Sequence, residues 1–315
     1  MRIGSSILRS PRPDTNLQFL SGLLDPRVSS WTRSGVCSYW DAAGALQAPG
    51  ANVARFDHAP LTLTPLGLMF EEARTNLLTS PDTLATQSVS VTAQAYTLSF
   101  YGSGTVTLSG AATATVAGTG VVPNRRTYTF TPTAGTLTLT VSGTVRYANL
   151  EAASYATSYI PGASRGADTG IILAASTLPG LSVSQGTLYV EWLFPGILPS
   201  GQVSFIGFDD GTGTNRILLR VGQGGVADMV SSPGGIDTSG FAVTAGTIIR
   251  QAVAWSSGSW GHAVNGQIET SSVTTMPASF TRLLLGAGLG SYWLSKVRHY
   301  AIRLPDAVIR TMTNG

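Results

Sequence analysis

From about residue 78 onward, apolar and polar residues alternate with a period of two. The runs SVSV, YTLSFYG and GTVTLSG are followed by RRTYTFTPTAGTLTLTVSGTVRYANLEA, with Ser-Gly, Ala-Gly and Thr-Gly steps between them. Such alternation lays one face of each strand on a core, and the glycine steps are turn signals. It points Leu98, Phe100, Val106, Leu108, Tyr128, Phe130, Leu137, Leu139 and Val141 inward. The pattern predicts an antiparallel β-sandwich over residues 78–162. A larger strand-rich stretch, 163–315, follows with GTLYVEWLF, QVSFIGFDDG, NRILLRVG, TIIRQAVAWSSG, SWGHAVNGQI, FTRLLLGAG and WLSKVRHYAIRL. Within it, Asn265-Gly266 between two apolar runs is a hairpin signature. A short helix is expected to close the chain from near Asp306.

Residues 1–77 carry no sustained period. SSILRSPRPDTN is a polar, proline-broken arm, and Asp41 to Gly44 reads as a turn between short strands at SYW and ALQ. GLMFEEARTNLL reads as a strand and turn, or as a strand and short helix weakened by Thr75 and Asn76. A segment with so few core positions of its own leans on a neighbouring domain or on a partner chain.

Composition supports strands. Of 315 residues, 43% are hydrophobic and only 11% charged, enough apolar material for packed cores and too little charge for a disordered chain. The formal charge of +3 comes from 19 basic and 16 acidic residues, and Lys296 is the sole lysine. Nucleic-acid binding draws on a dense basic stripe, whereas only Arg125-Arg126 and the looser Lys296, Arg298, Arg303 group occur, so no nucleic-acid partner is expected. With Cys37 as the single cysteine, neither an internal disulfide nor a multi-cysteine metal site is expected. No apolar run reaches the length of a membrane-spanning helix, and the first residues lack the apolar core of a secretory signal, so synthesis in a cytoplasm without membrane insertion is expected.

Three stretches resemble modular phage and prophage structural proteins, such as tail-fibre or other virion surface components: YWDAAGALQAPGANVARFDH at 39–58, LGLMFEEARTNLL at 66–78 and NLEAASYATSYIPGASRGAD at 149–168. The resemblance implies an all-β protein with two antiparallel β-sandwich (jelly-roll) domains in tandem. A carbohydrate-module-like jelly roll at 78–162 would be followed by a concanavalin A/laminin-G-like sandwich at 163–315, both preceded by an irregular attachment segment at 1–77. It further implies a virion location, docking on other virion proteins through residues 1–77 and a trimeric assembly. Host-surface polysaccharide is the alternative partner, and a β-sandwich glycoside hydrolase or lyase a third reading. The 149–168 stretch becomes the seam between sandwiches, with Tyr155 and Tyr159 as anchors, Pro161 breaking strand pairing, and Arg165 and Asp168 leading onward. Gly166 departs from the usual Arg-Ala-Asp of that group and predicts a looser hinge.

Candidate ligand residues carry competing structural readings. Trp293, Tyr292 and Trp260 offer rings to a glycan or partner, or else fill the core. Trp31, Tyr39 and Trp40 read as virion-docking anchors or as packing for a short segment. Asp209 and Asp210 in FDDG are candidate Ca²⁺ ligands, or a polar hairpin turn; no other cofactor is implied. Asp57-His58 is the one close acid–imidazole pair, there is no GxSxG elbow, and Glu151, Glu191, Asp209, Asp228 and Glu269 form no marked pair. Glu191 reads as the outward residue of its strand. No catalysis is expected.

Overall fold

The computed structural model describes residues 11–173, 177–196, 203–222, 224–233, 236–272, 275–288 and 290–315. It is built from antiparallel strands, with one helix, Asp306–Thr313, among the described residues that have defined bounds. The smaller sandwich pairs a four-stranded sheet, in the order Ala114–Ala117, Thr105–Gly110, Gly135–Ser142, Gln87–Val91, with a three-stranded one, Arg126–Phe130, Tyr96–Tyr101, Arg146–Glu151. Leu98, Phe100, Val106, Leu108, Leu137 and Leu139 are fully buried between them, as the alternation requires, while Tyr128, Phe130 and Val141 sit half-buried at the rim. Each fully buried side chain contributes about 1.5–3 kcal/mol of hydrophobic burial. The strand Tyr96–Tyr101 is buried on both faces. Leu98 and Phe100 enter the core, whereas Thr97 and Ser99 face the chain that leaves the sandwich, with the Thr97 hydroxyl donating to the Ala153 carbonyl at 2.8 Å.

The larger sandwich has two eight-stranded sheets. One runs Gln267–Ser271, Ser259–Val264, Ile248–Ser256, Gln185–Leu193, Tyr292–Tyr300, Pro65–Phe70, Phe56–His58, with Thr15–Gln18 also on Tyr292–Tyr300. The other runs Ser30–Thr32, Thr169–Leu173, Arg282–Gly288, Val203–Asp209, Arg216–Gly222, Val226–Ser232, Ile236–Asp237, with Phe241–Ala242 also on Val226–Ser232. Asn265 and Gly266 adopt φ of 46° and 80°, the left-handed pair of a type I′ turn, and join two strands in register from Val264↔Gln267. The closing helix lays Ile309 against Tyr189, Ala252, Ala254 and Ala263.

The attachment segment expected at 1–77, leaning on a neighbouring domain or on a partner chain, is not a unit apart from the larger sandwich where it is described. Residues 1–10 lie outside the described residues, but from Thr15 onward the segment is woven into the larger sandwich. Thr15–Gln18 pairs with Tyr292–Tyr300 from Thr15↔His299 to Gln18↔Lys296, and Ser30–Thr32 pairs with Thr169–Leu173. Leu17, Phe19, Leu68 and Phe70 share one core with Leu188, Val190, Trp192, Phe208 and Val253. Trp31, read as a docking anchor, lies 5.0 Å from Phe70 between ring centres and packs on that same core. Thr15–Gln18 and Ser30–Thr32 are four and three residues long, too short for a periodicity to register, and their partners lie more than a hundred residues away. FEEARTNLL contains no helix; after Pro65–Phe70 the chain makes a two-residue strand, Arg74–Thr75, paired with Ser164–Arg165.

Candidate functional site: a cleft at the seam

The three stretches at 39–58, 66–78 and 149–168 meet where the two sandwiches join. Asn76 is the first clamp. Its side-chain NH₂ donates to the carbonyls of Ala148 and Ile160 and to Asn149 Oδ1, at 2.9–3.1 Å, and its Oδ1 accepts from the N–H groups of Leu78 and Leu150. One amide thus satisfies backbone groups of three chain segments, which is why the polar Thr-Asn-Leu sequence can be buried.

Beside it lies a buried ionic cluster. Arg55 donates to Glu71 Oε2 at 2.7 Å, to Asp168 Oδ2 at 2.6 Å and to the Ser38 carbonyl at 3.0 Å. Arg165 reaches Glu71 Oε2 at 3.1 Å and the Glu72 carbonyl, and Arg33 stands 3.5 Å from Asp168 Oδ1. All five charged side chains are at most 1% exposed. Burial pushes the Glu71 carboxyl up, but Arg165, Arg55 and the Ser158 donors outweigh it and hold the group down at about 2. Tyr155 donates its hydroxyl to Glu72 with the Arg74 guanidinium 5.0 Å above its ring, and Tyr159 donates to Asp82. Pro161 follows Ile160, whose N–H donates to Asn149 Oδ1 instead of a neighbouring strand. Gly166 does not loosen the seam: its N–H is bonded to the Ser34 carbonyl at 2.9 Å, and a Cβ there would run into Ser34.

Above this cluster opens a cleft of about 320 Å³, within the ~300–1,000 Å³ of small-molecule sites. Aromatic rings from distant parts of the chain line it: Tyr39, Trp40, Tyr101, Tyr159, Tyr292 and Trp293. Asp57 ties the two indole residues together. Its Oδ1 accepts the Trp40 backbone N–H at 2.7 Å and its Oδ2 the Trp293 indole N–H at 2.8 Å. Burial pushes the Asp57 carboxyl up to about 6, against those two donors and the nearby Arg55. Tyr39 and Trp293 are half-buried and keep open surface towards the cleft, while Trp40 and Tyr292 are buried in its wall.

Residues assigned separately from the sequence thus share one place: Trp293 and Tyr292 as glycan candidates, Tyr39 and Trp40 as docking anchors, Tyr159 as a seam anchor. Trp260 is not among them; it is buried in the core of the larger sandwich, opposite Trp255. Asp57 and Arg125 were missed. Asp57 does not work with His58, whose Nδ1 lies 3.2 Å from the Trp40 carbonyl oxygen; successive strand residues point to opposite faces, and the alternation in FDH marks Asp57 as the inward one. Arg126 is the exposed member of its pair, and Arg125 turns into the cleft. Asp209 pairs with Arg282 and accepts from the Gly211 N–H, and Asp210 accepts from Thr212 and Asn215. The two carboxylates thus sit in a polar turn, each accepting from protein donors. No group of three or more metal-ligating side chains occurs among the described residues. Glu191 is half-buried and bonded to Lys296 at 2.8 Å and to the Tyr189 hydroxyl.

The chain is therefore an all-β protein of two joined antiparallel sandwiches with an aromatic cleft at their seam. No family model and no curated protein matches it. Among solved structures it is similar to a Trypanosoma rangeli sialidase in complex with the inhibitor DANA, at 12% identity and TM-score 0.38, over 47% of this chain and 26% of that one. It is similar to the botulinum neurotoxin serotype D binding domain at 9% identity and TM-score 0.38, over 47% and 40%. The carbohydrate-binding module CBM40 of a Ruminococcus gnavus IT-sialidase, bound to α2,3-sialyllactose, matches at 15% identity and TM-score 0.33, over 41% and 83%. The chain spans about a quarter of the sialidase's length. Contrary to the expectation of no catalysis, sialidases stand among these matches beside binding domains, and the likeness is one of fold alone.

Proposed function

We propose that this protein is a glycan-binding adhesin whose sugar site is the seam cleft. The observation that carries the reading is the pinning of Trp40 and Trp293 by one buried carboxylate in the wall of a concave, ring-lined site. The C–H face of a pyranose is apolar and packs on an aromatic face, while its hydroxyls require fixed polar partners. A cleft lined by rings with a few oriented polar groups supplies both. The two sandwiches meet through a cluster with no exposed charge, so the cleft is pre-shaped and a ligand need not order its walls.

The setting proposed for it is the outside of a virion, on the strength of the three motif stretches, with host polysaccharide as the bound surface and other virion proteins as neighbours. Because residues from Thr15 onward are woven into the sandwich, such attachment would use the outer surface of that segment, where Leu20, Leu23, Leu61 and Leu63 are exposed, and not a separable unit.

A glycan array tests the sugar reading. Reproducible binding to a set of glycans, lost in Trp293→Ala and in Tyr39→Ala with the fold intact, is the expected result. Silence of the folded wild-type protein across host glycans refutes it.

A further inference from the structure

We propose that the sugar taken by the seam cleft is an acidic one, and that Arg125 is the residue that meets its carboxylate; this rests on the sugar-binding reading above. Three charged residues line the cleft: Asp57, Glu71 and Arg125. Both carboxylates are already filled by protein donors. Glu71 accepts from the Ser158 N–H and hydroxyl and from Arg55, and Asp57 from the Trp40 N–H and the Trp293 indole. Their acceptor capacity points inward, at the protein.

Arg125 differs. Its Nη1 donates to the Thr157 carbonyl and its Nη2 to the Ser99 hydroxyl at 2.6 Å, and its guanidinium lies 5.8 Å from the centre of the Tyr101 ring. These partners are all uncharged, and no carboxylate is paired with Arg125 among the described residues. A guanidinium has five N–H donors in a planar fork. Two are used here, and the buried Nε–H has no partner. Tyr101 in turn packs edge-on against Trp40 at 5.8 Å. The cation is thus set beside the rings that would hold a pyranose face. Unspent capacity in the cleft is donor capacity carrying a positive charge, and it matches a ligand that brings paired anionic acceptors.

The test compares ligands that differ only in that charge. Trigalacturonate and its methyl ester share rings and linkages, and α2,3-sialyllactose against its sialic acid methyl ester asks the same question of a sialic acid. Titration calorimetry on the full chain is expected to show the free acid of at least one pair binding roughly ten- to a hundredfold more tightly than its neutral partner. The pair that responds identifies the source as uronate or sialic acid. In Arg125→Gln the ratio falls to about one. In Arg125→Lys, which keeps the charge and loses the fork, it falls but stays above one, and this variant carries the test if the glutamine variant does not fold. Equal binding of acid and neutral forms by the wild type, or an unchanged ratio in Arg125→Gln, overturns the assignment while leaving the sugar site standing. Absence of binding to every saccharide tried overturns both.

Discussion

Arg55→Met removes the cation that both Glu71 and Asp168 share, and the structure allows the loss to be apportioned. Removing one partner from a buried ion pair costs about 3–5 kcal/mol, chiefly because the remaining charge is left uncompensated. Here neither carboxylate is abandoned. Glu71 keeps Arg165 at 3.1 Å and both Ser158 donors, and Asp168 keeps the Glu71 N–H at 3.0 Å with Arg33 at 3.5 Å. The expected loss therefore lies at the low end, about 3 kcal/mol. At roughly 2–4 °C per kcal/mol for a domain of 150–250 residues, the melting temperature falls by about 6–12 °C. Chemical denaturation gives the energy directly, and 1 M salt should leave it nearly unchanged, because the cluster is shielded from solvent. The double variant Arg55→Met/Asp168→Asn, which also removes one of the two carboxylates that Arg55 bridges, should be less destabilised than the sum of the singles by about 1–3 kcal/mol. A loss under about 1 kcal/mol for Arg55→Met, together with additivity in the cycle, would refute the idea that this cluster holds the seam.

Further outcomes follow from other residues. Asp57, pushed up to about 6 by burial, stabilises the fold while protonated; that contribution, about 3 kcal/mol, is complete below 3.8 and is lost as pH rises through 6. Its charging should change tryptophan emission with a midpoint near pH 6, and Asp57→Asn should abolish that step. His299 is fully buried with neither ring nitrogen bonded, and burial pushes it down to about 4, against Asp14. Its contribution, also about 3 kcal/mol, is complete above 6.5 and is lost as pH falls through 4. Urea midpoints measured from pH 4 to 6.5 should thus rise on the acid side in His299→Phe and fall there in Asp57→Asn; identical profiles in all three proteins would contradict both assignments. Gly166→Ala drives a methyl into Ser34 beside the cluster and should lower stability by about 1–3 kcal/mol by thermal melting, whereas a looser hinge would tolerate it.

What could be read along the chain was whatever is periodic or local. Leu98, Phe100, Val106 and Leu108 alternate on two successive strands that face each other across the core, and Asn265-Gly266 states its turn in two residues, so both are legible without knowledge of distant partners. The placement of residues 11–77 was not. Thr15–Gln18 has only four residues, and its burial is decided by Tyr292–Tyr300, nearly three hundred positions away. Composition marked Trp293, Tyr39 and Trp40 as residues needing an explanation, but the carboxylate that unites them, Asp57, has a neighbouring histidine that draws attention to the wrong side of its strand.

The three motif stretches acquire a physical meaning from this. Five of their polar residues, Asn76, Arg55, Glu71, Arg165 and Asp168, are spent inside the protein, where they join two sandwiches that otherwise have separate apolar cores. An apolar seam would hold equally well but would not fix register, since apolar contacts are non-directional, whereas a shared guanidinium and a shared amide each admit one arrangement of three segments. The cleft lies on that seam and takes walls from both sandwiches: Tyr101 and Arg125 from the smaller, Trp293 and Asp57 from the larger. A seam variant such as Arg55→Met, which touches none of the rings, should therefore weaken saccharide binding in proportion to the rigidity it removes, while a core variant such as Leu108→Ala, of comparable or greater cost to stability, should leave the affinity of the folded fraction unchanged. Calorimetry on the two variants at a temperature where both are folded separates these outcomes, and equal weakening by both would mean that the seam does not shape the site.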